Sequence, residues 1–238
     1  MDNTLAKIHL SVDCTVLGFN GNRLEVLLIR RTGEEGGKEF HDMKLPGSLI
    51  LDNEELDDAA RRVLTELTGL KNIPLQQFRA FGSKDRTKDP KDVHWLEHAQ
   101  QAHVARIVTV AYVALVKIGR TIARDMEGSE ALWVPVDALP PLAFDHNEII
   151  AAALAHLRTG AVTDPSVLYA LLPRKFTVTQ LRTLYEVVFG VKLDAANFYK
   201  KMTQMPYVVA LEEREKGVAH RAARYFRFDK NAYNKTRI

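Results

Sequence analysis

The chain has 238 residues, 46% hydrophobic and 26% charged, enough to bury a sizeable core and to divide into two domains. Its formal charge of +3 hides an asymmetry: from Pro173 onward 14 Lys or Arg face 6 Asp or Glu, whereas the totals of 33 and 30 leave 19 against 24 before that point. A single cysteine excludes an internal disulfide and a cysteine-based zinc site, no window is apolar enough to span a bilayer, and "MDNTLAKIHL" lacks the regions of a signal peptide, so a cytoplasmic location without a membrane partner is expected.

In chain order, "HLSVDCTVLGF" and "RLEVLLIRR" read as two strands joined by "NGN", because Asn and Gly tolerate the positive φ of tight turns. Cys14, inside the first apolar run, reads as a buried thiol. Arg30 and Arg31 end the second strand, where they can meet an anionic group or be structural, Arg30 by pairing with an acidic helix. That helix lies within "SLILDNEELDDAARRVLTELTGL", residues 48–70. Asp52 and Glu55 offer it a capping box, and Leu56, Ala60, Val63 and Leu67 give it a core-facing stripe. Asp58 and Arg62 on the remaining surface have the spacing of an i,i+4 pair.

Further strands are expected in "QFRAFGS", "VARIVTVAYVALVKI" and "ALWVPV", and with a packed helix they predict a mixed sheet. Lys84, Asp85 and Arg86 in "GSKDR" follow a strand and are candidates for a pocket rim. The polar "KDRTKDPKDVHWLEHAQQAH" reads as a surface excursion. Its histidines read as loop residues rather than a metal cluster, since only His94 and His98 have helical spacing and no cysteine joins them. Asp145 and His146 open the next helix, "FDHNEIIAAALAHL", as candidate pocket residues, although Asp145 also suits an N-cap.

Gly160 and Pro165 mark residues 159–172 as a connection between a first domain, 1–158, and a second, 173–238. The second domain opens with Thr177 and Gln180 as a capping box, then Leu181, Leu184, Tyr185 and Val188 at helical spacing, with Gly190 as a stop. A second short helix from Asp194 carries Asn197, Tyr199, Lys200 and Lys201 outward while Phe198 and Met202 pack inward. "YVVALEE" and "YFRF" then form a hairpin whose basic side includes His220, Arg221, Arg224 and Arg227. Helix, short turn, helix and basic hairpin predict a winged helix-turn-helix, whose natural partner is double-stranded DNA.

The acidic helix, preceded by "LPG", resembles the box of the Nudix hydrolase family: Glu54, Arg62, Leu64, Glu66, Gly69 and Leu70 hold the family spacing. Ser48, Val63 and Leu67 stand where that pattern has a glycine and two glutamates. In active relatives the clustered glutamates bind divalent metals, so the resemblance implies a Nudix-like fold that binds a ligand without hydrolysing it and needs no cofactor or metal. The whole chain, apart from the stretch around 86–103, is similar to Nudix-related transcriptional regulators, in which a degenerate Nudix domain precedes a winged helix. The implied architecture is α+β: an α/β/α sandwich with a mixed sheet, then a winged helix-turn-helix. The implied function is operator binding as a homodimer, controlled by a small effector, either a sugar or an ADP-ribose-like nucleotide. Arg30, Arg31, Lys84, Asp85, Arg86, Asp145 and His146 are the candidate effector residues. A surviving magnesium-dependent pyrophosphohydrolase is the rival reading, and it would need metal ligands recruited from outside Val63 and Leu67.

Overall fold

A computed structural model of the chain describes residues 7–100, 103–104, 106–217 and 222–236. It forms two compact units. One holds Glu25–Ala114 and Gly119–Ala153 with the chain up to Leu17; the other holds Gly18–Leu24, Leu115–Ile118 and the chain from Leu154.

The first unit is built on a mixed sheet of β1 (His9–Phe19), β2 (Leu24–Glu35), β3 (Lys38–Lys44), β4 (Gly47–Leu49), β5 (Gln76–Phe81), β6 (Ile107–Lys117) and β7 (Ala131–Pro135). The order is β3-β2-β1-β6-β5, with β4 on β1 and β7 on β2. Every residue of β1 from Ser11 to Phe19 is buried, as in a strand covered on both faces. The two-residue period sends Val12 and Cys14 to one face and Asp13 and Thr15 to the other.

Helix α1 (Leu56–Thr68) covers the Val12 and Cys14 face. Ala59, Ala60 and Val63 pack there with Val110 and Tyr112, and Leu56 and Leu67 flank them. The helix ends at Gly69, whose φ of 76° suits glycine and whose hypothetical Cβ would lie 2.0 Å from the Asp125 carbonyl oxygen. Its start departs from the expected capping box. Glu55 is the N-cap and makes no side-chain capping bond, while Glu54 accepts the Leu51 N–H at 3.1 Å.

The stretch expected as a surface excursion is largely helical. A 3-10 turn, Lys84–Thr87, is capped by Ser83, and α2 (Pro90–Gln100) buries Asp92 and Leu96. After α3 (Arg120–Asp125), α4 (His146–Thr163) buries Ile149, Ile150, Ala153 and Leu157.

In the second unit, residues 159–172 are folded: α4 continues to Thr163, and a 3-10 helix, Pro165–Leu171, buries Leu168 and Leu171. Tyr169 stacks on Phe228 with ring centroids 4.2 Å apart, so this segment contributes to a core rather than serving as a free connection. β8 (Phe176–Thr177), α5 (Val178–Phe189), α6 (Ala195–Thr203), β9 (Val208–Arg214), β10 (Arg224–Phe228) and α7 (Lys230–Lys235) follow. Both capping-box bonds of α5 are present, at 3.2 and 2.9 Å between Thr177 and Gln180. β10 lies between β8 and β9, antiparallel to both, which completes a winged helix. Among the described residues no helix is long and apolar enough to cross a membrane.

Candidate ligand pocket and nucleic-acid interface

On α1 the sequence positions of the Nudix glutamates are arranged for packing and ion pairing. Val63 is 1% exposed within the core. Arg62 grips Glu54 with two bonds, at 2.6 and 2.8 Å, and reaches Glu66 at 3.2 Å. The Arg62 bond, ahead of other contacts, holds the Glu54 carboxyl below its ordinary range. Asp58 pairs with Arg61 at 2.6 Å rather than with Arg62, which faces the other way toward Glu54. The two acidic groups in register thus share one guanidinium, and the other two positions, Val63 and Leu67, are apolar.

On the opposite face of the sheet, four charged or titratable side chains converge. Asp13 of β1 lies 3.3 Å from Arg86 and 3.4 Å from Nε2 of His146, and Arg86 reaches Asp145 at 3.0 Å. Nδ1 of His146 accepts the Leu45 N–H at 2.9 Å, which places the ring proton on Nε2, toward Asp13. Burial alone would raise the Asp13 carboxyl, but His146 and Arg86 more than offset it and hold the group well below the carboxylate range. Asp145 moves the other way: burial raises it despite Arg86. Lys44 completes the group. It donates to the Gly47 carbonyl at 2.8 Å, and burial pulls its pKa down to about 8.

Backbone constraints fix this arrangement. A Cβ on Gly47 would lie 1.9 Å from Oδ1 of Asp13, so only glycine allows β4 to approach β1 there. Phe144 sits at a φ of 55°, uncommon for a bulky residue, and its N–H donates to Asp92 at 2.8 Å. Helix α2 thus holds the loop that presents Asp145 and His146.

The candidate effector residues separate into three sets. Arg86, Asp145 and His146 come together. Arg31 does not join them: it bonds Asp42 at 2.7 and 2.6 Å and Asp92 at 2.5 Å, with Phe40, Trp95 and Phe144 rings 5.1–5.3 Å from its guanidinium. Arg31 thereby ties β3 and α2 to β2, the structural alternative among its expected roles. Arg30, on the other side of the strand, and Lys84 and Asp85 are exposed. Asp13 and Lys44 escaped the sequence reading, although each has a signal: an acid within an apolar strand, and a lysine just before "LPG".

In the winged helix, α6 is capped by Asp194, which accepts the Asn197 N–H at 2.8 Å. Phe198 and Met202 are buried, and Asn197, Tyr199, Lys200 and Lys201 are exposed on the same two turns. Arg224 donates to the Leu211 carbonyl at 2.6 Å and pairs with Glu212 at 2.8 Å, and Arg227 pairs with Asp229 at 3.0 Å. Both keep their side chains partly exposed, at 41% and 46%. His220 and Arg221 lie outside the described residues.

Comparison with known proteins joins these observations. The NUDIX domain family model matches residues 7–154, and the NrtR DNA-binding winged helix domain model matches 168–228. A curated relative, the ADPR responsive transcriptional repressor NtrR of Acinetobacter baylyi, is 27% identical over 229 residues, covering 94% of this chain and 84% of its own. The structure of Shewanella oneidensis NrtR complexed with a 27mer DNA superposes with a TM-score of 0.67 at 22% identity, covering 94% of this chain and 95% of the other. A MutT/nudix family protein from Enterococcus faecalis gives 0.62 at 25% identity, with 95% and 90% covered. The chain belongs to the NUDIX domain family and carries an NrtR-type winged helix domain after its Nudix domain.

Proposed function

We propose that the chain is a DNA-binding transcriptional repressor that acts as a homodimer and whose Nudix domain senses an ADP-ribose-like nucleotide without hydrolysing it. The observation that carries this reading is α6: a helix anchored by Phe198 and Met202 offers Asn197, Tyr199, Lys200 and Lys201 together to a groove. The similarity to an ADPR responsive repressor over 94% of the chain supports an effector of that class over a simple sugar. On the Nudix side, the Arg62 clamp on Glu54 and Glu66 and the burial of Val63 favour sensing over magnesium-dependent turnover. Arg86, with Asp145 and His146, is the proposed effector contact, since two of its nitrogens make no hydrogen bond among the described residues.

Gel shifts with DNA upstream of the gene and its neighbours, with and without ADP-ribose, test the proposal. The expected result is a salt-sensitive complex that ADP-ribose weakens and pentoses leave unchanged. Absence of any specific complex, together with magnesium-dependent cleavage of ADP-ribose, would replace the repressor with an enzyme.

A further inference from the structure

Beside the Asp13 and Lys44 pocket lies a larger cleft, about 680 Å3, between the β2–β3 hairpin and α2. Phe40, Trp95, His41, His94 and His98 wall it. Trp95 is fixed in place: its Nε1–H donates to the Thr32 carbonyl at 3.1 Å, and Arg31 lies 5.1 Å from its ring. The two rings pack against Gly33, where a Cβ would stand 2.5 Å from Phe40 and 3.1 Å from Trp95. Trp95 also lines the neighbouring pocket with Asp13, Lys44 and Arg86, so the indole is a wall common to both spaces.

The chemistry of the two spaces differs. The cleft is lined by the Phe40 and Trp95 side chains, three histidines and the acidic Glu34 and Glu39, whose carboxylates repel phosphate but accept hydrogen bonds from an exocyclic amine. The pocket beyond Trp95 holds Lys44 and Arg86. We infer that the cleft between the hairpin and α2 is the nucleobase subsite of the effector, with the base lying against the Phe40 and Trp95 rings, its edge read by His94 and His98, and the phosphate-bearing remainder directed toward Lys44 and Arg86. Aromatic faces bind bases of any sequence, and polar edges select among them. The inference rests on the proposed nucleotide effector and gives α2 a role in recognition.

The test uses the full-length protein. His94 and His98 are exposed, so His94→Ala/His98→Ala is expected to leave the fold intact, which circular dichroism checks. Calorimetry with ADP-ribose is expected to show at least a tenfold loss of affinity in this variant. In a Trp133→Phe background Trp95 is the only tryptophan, and ADP-ribose is expected to quench its fluorescence while ribose 5-phosphate, which lacks the base, does not. Wild-type affinity in the double variant, or equal quenching by ribose 5-phosphate, overturns the subsite while leaving the nucleotide effector standing. Failure of ADP-ribose to bind the wild-type protein overturns the effector reading and the subsite with it.

Discussion

Lys44 illustrates how much a single buried charge reports. The residue is 6% exposed, its amine is bonded to the Gly47 carbonyl, and its folded pKa falls to about 8 against 10.5 for the free group. Between those values the unfolded chain binds more protons than the folded one, so this residue makes stability rise with pH across that window. Lys44→Met is expected to remove the rise, and urea denaturation at pH 7 and pH 10 measures it. An unchanged pH slope would show that the Lys44 amine is solvated. Asp13 has the same sense in a lower window: its depressed carboxyl contributes stability that is full above the usual carboxylate range and is lost as the pH falls below it. Neither residue was conspicuous in the sequence. Asp13 is one acid in an apolar strand, and only the pairing of β1 with β4, Asp13 opposite Gly47, shows why it is retained there.

At the scale of elements, α1 was legible and its chemistry only partly so. Apolar spacing placed Val63 and Ala60 in the core correctly, because helical periodicity is a local property. The partner of Arg62 was not, because Glu54 lies before the helix and the choice between Asp58 and Glu54 depends on how the preceding turn brings it back. The ion pairs of Arg31 and Arg86 were hidden for a related reason: their carboxylate partners come from distant segments, Asp92 and Asp145, that no spacing rule connects. Restoring a carboxylate by Val63→Glu places it in a site 1% exposed, and the expected outcome is destabilisation by roughly 3 kcal/mol or more with no gain of hydrolysis. Thermal denaturation and a phosphate-release assay with magnesium and ADP-ribose check both halves. In the winged helix, by contrast, caps and stops are written locally, and the Thr177–Gln180 box and Gly190 appear where the sequence puts them. The exposed pair on α6 gives a further prediction. Lys200→Ala/Lys201→Ala is expected to weaken operator binding and to reduce the slope of log affinity against log salt by about two, one for each phosphate that the variant no longer neutralises. An unchanged slope in fluorescence anisotropy would remove α6 from the DNA backbone.

For the whole molecule, the proposed repressor requires that effector and operator share one equilibrium. An ADP-ribose molecule that binds DNA-competent and DNA-incompetent forms equally shifts nothing, however tightly it binds. A molecule that prefers the incompetent form by some factor lowers operator affinity by that factor, and linkage demands that operator DNA lower the affinity for ADP-ribose by the same amount. A tenfold effect corresponds to about 1.4 kcal/mol of coupling. The test measures both arms on one preparation: operator affinity at zero and saturating ADP-ribose by anisotropy, and ADP-ribose affinity without and with a saturating operator duplex by calorimetry. Equal factors of about ten or more are expected, with two chains bound per pseudo-palindromic duplex, since a winged-helix dimer reads two half-sites. Arg86→Met gives the control that separates sensing from DNA binding. Loss of Arg86 removes the proposed anion partner in the pocket, so ADP-ribose affinity is expected to fall while operator affinity without effector stays within about twofold of wild type, provided thermal denaturation shows the domain still folded. Equal operator affinity at zero and saturating ADP-ribose would leave a Nudix domain that binds a nucleotide and a winged helix that binds DNA without the coupling that makes the pair a regulator.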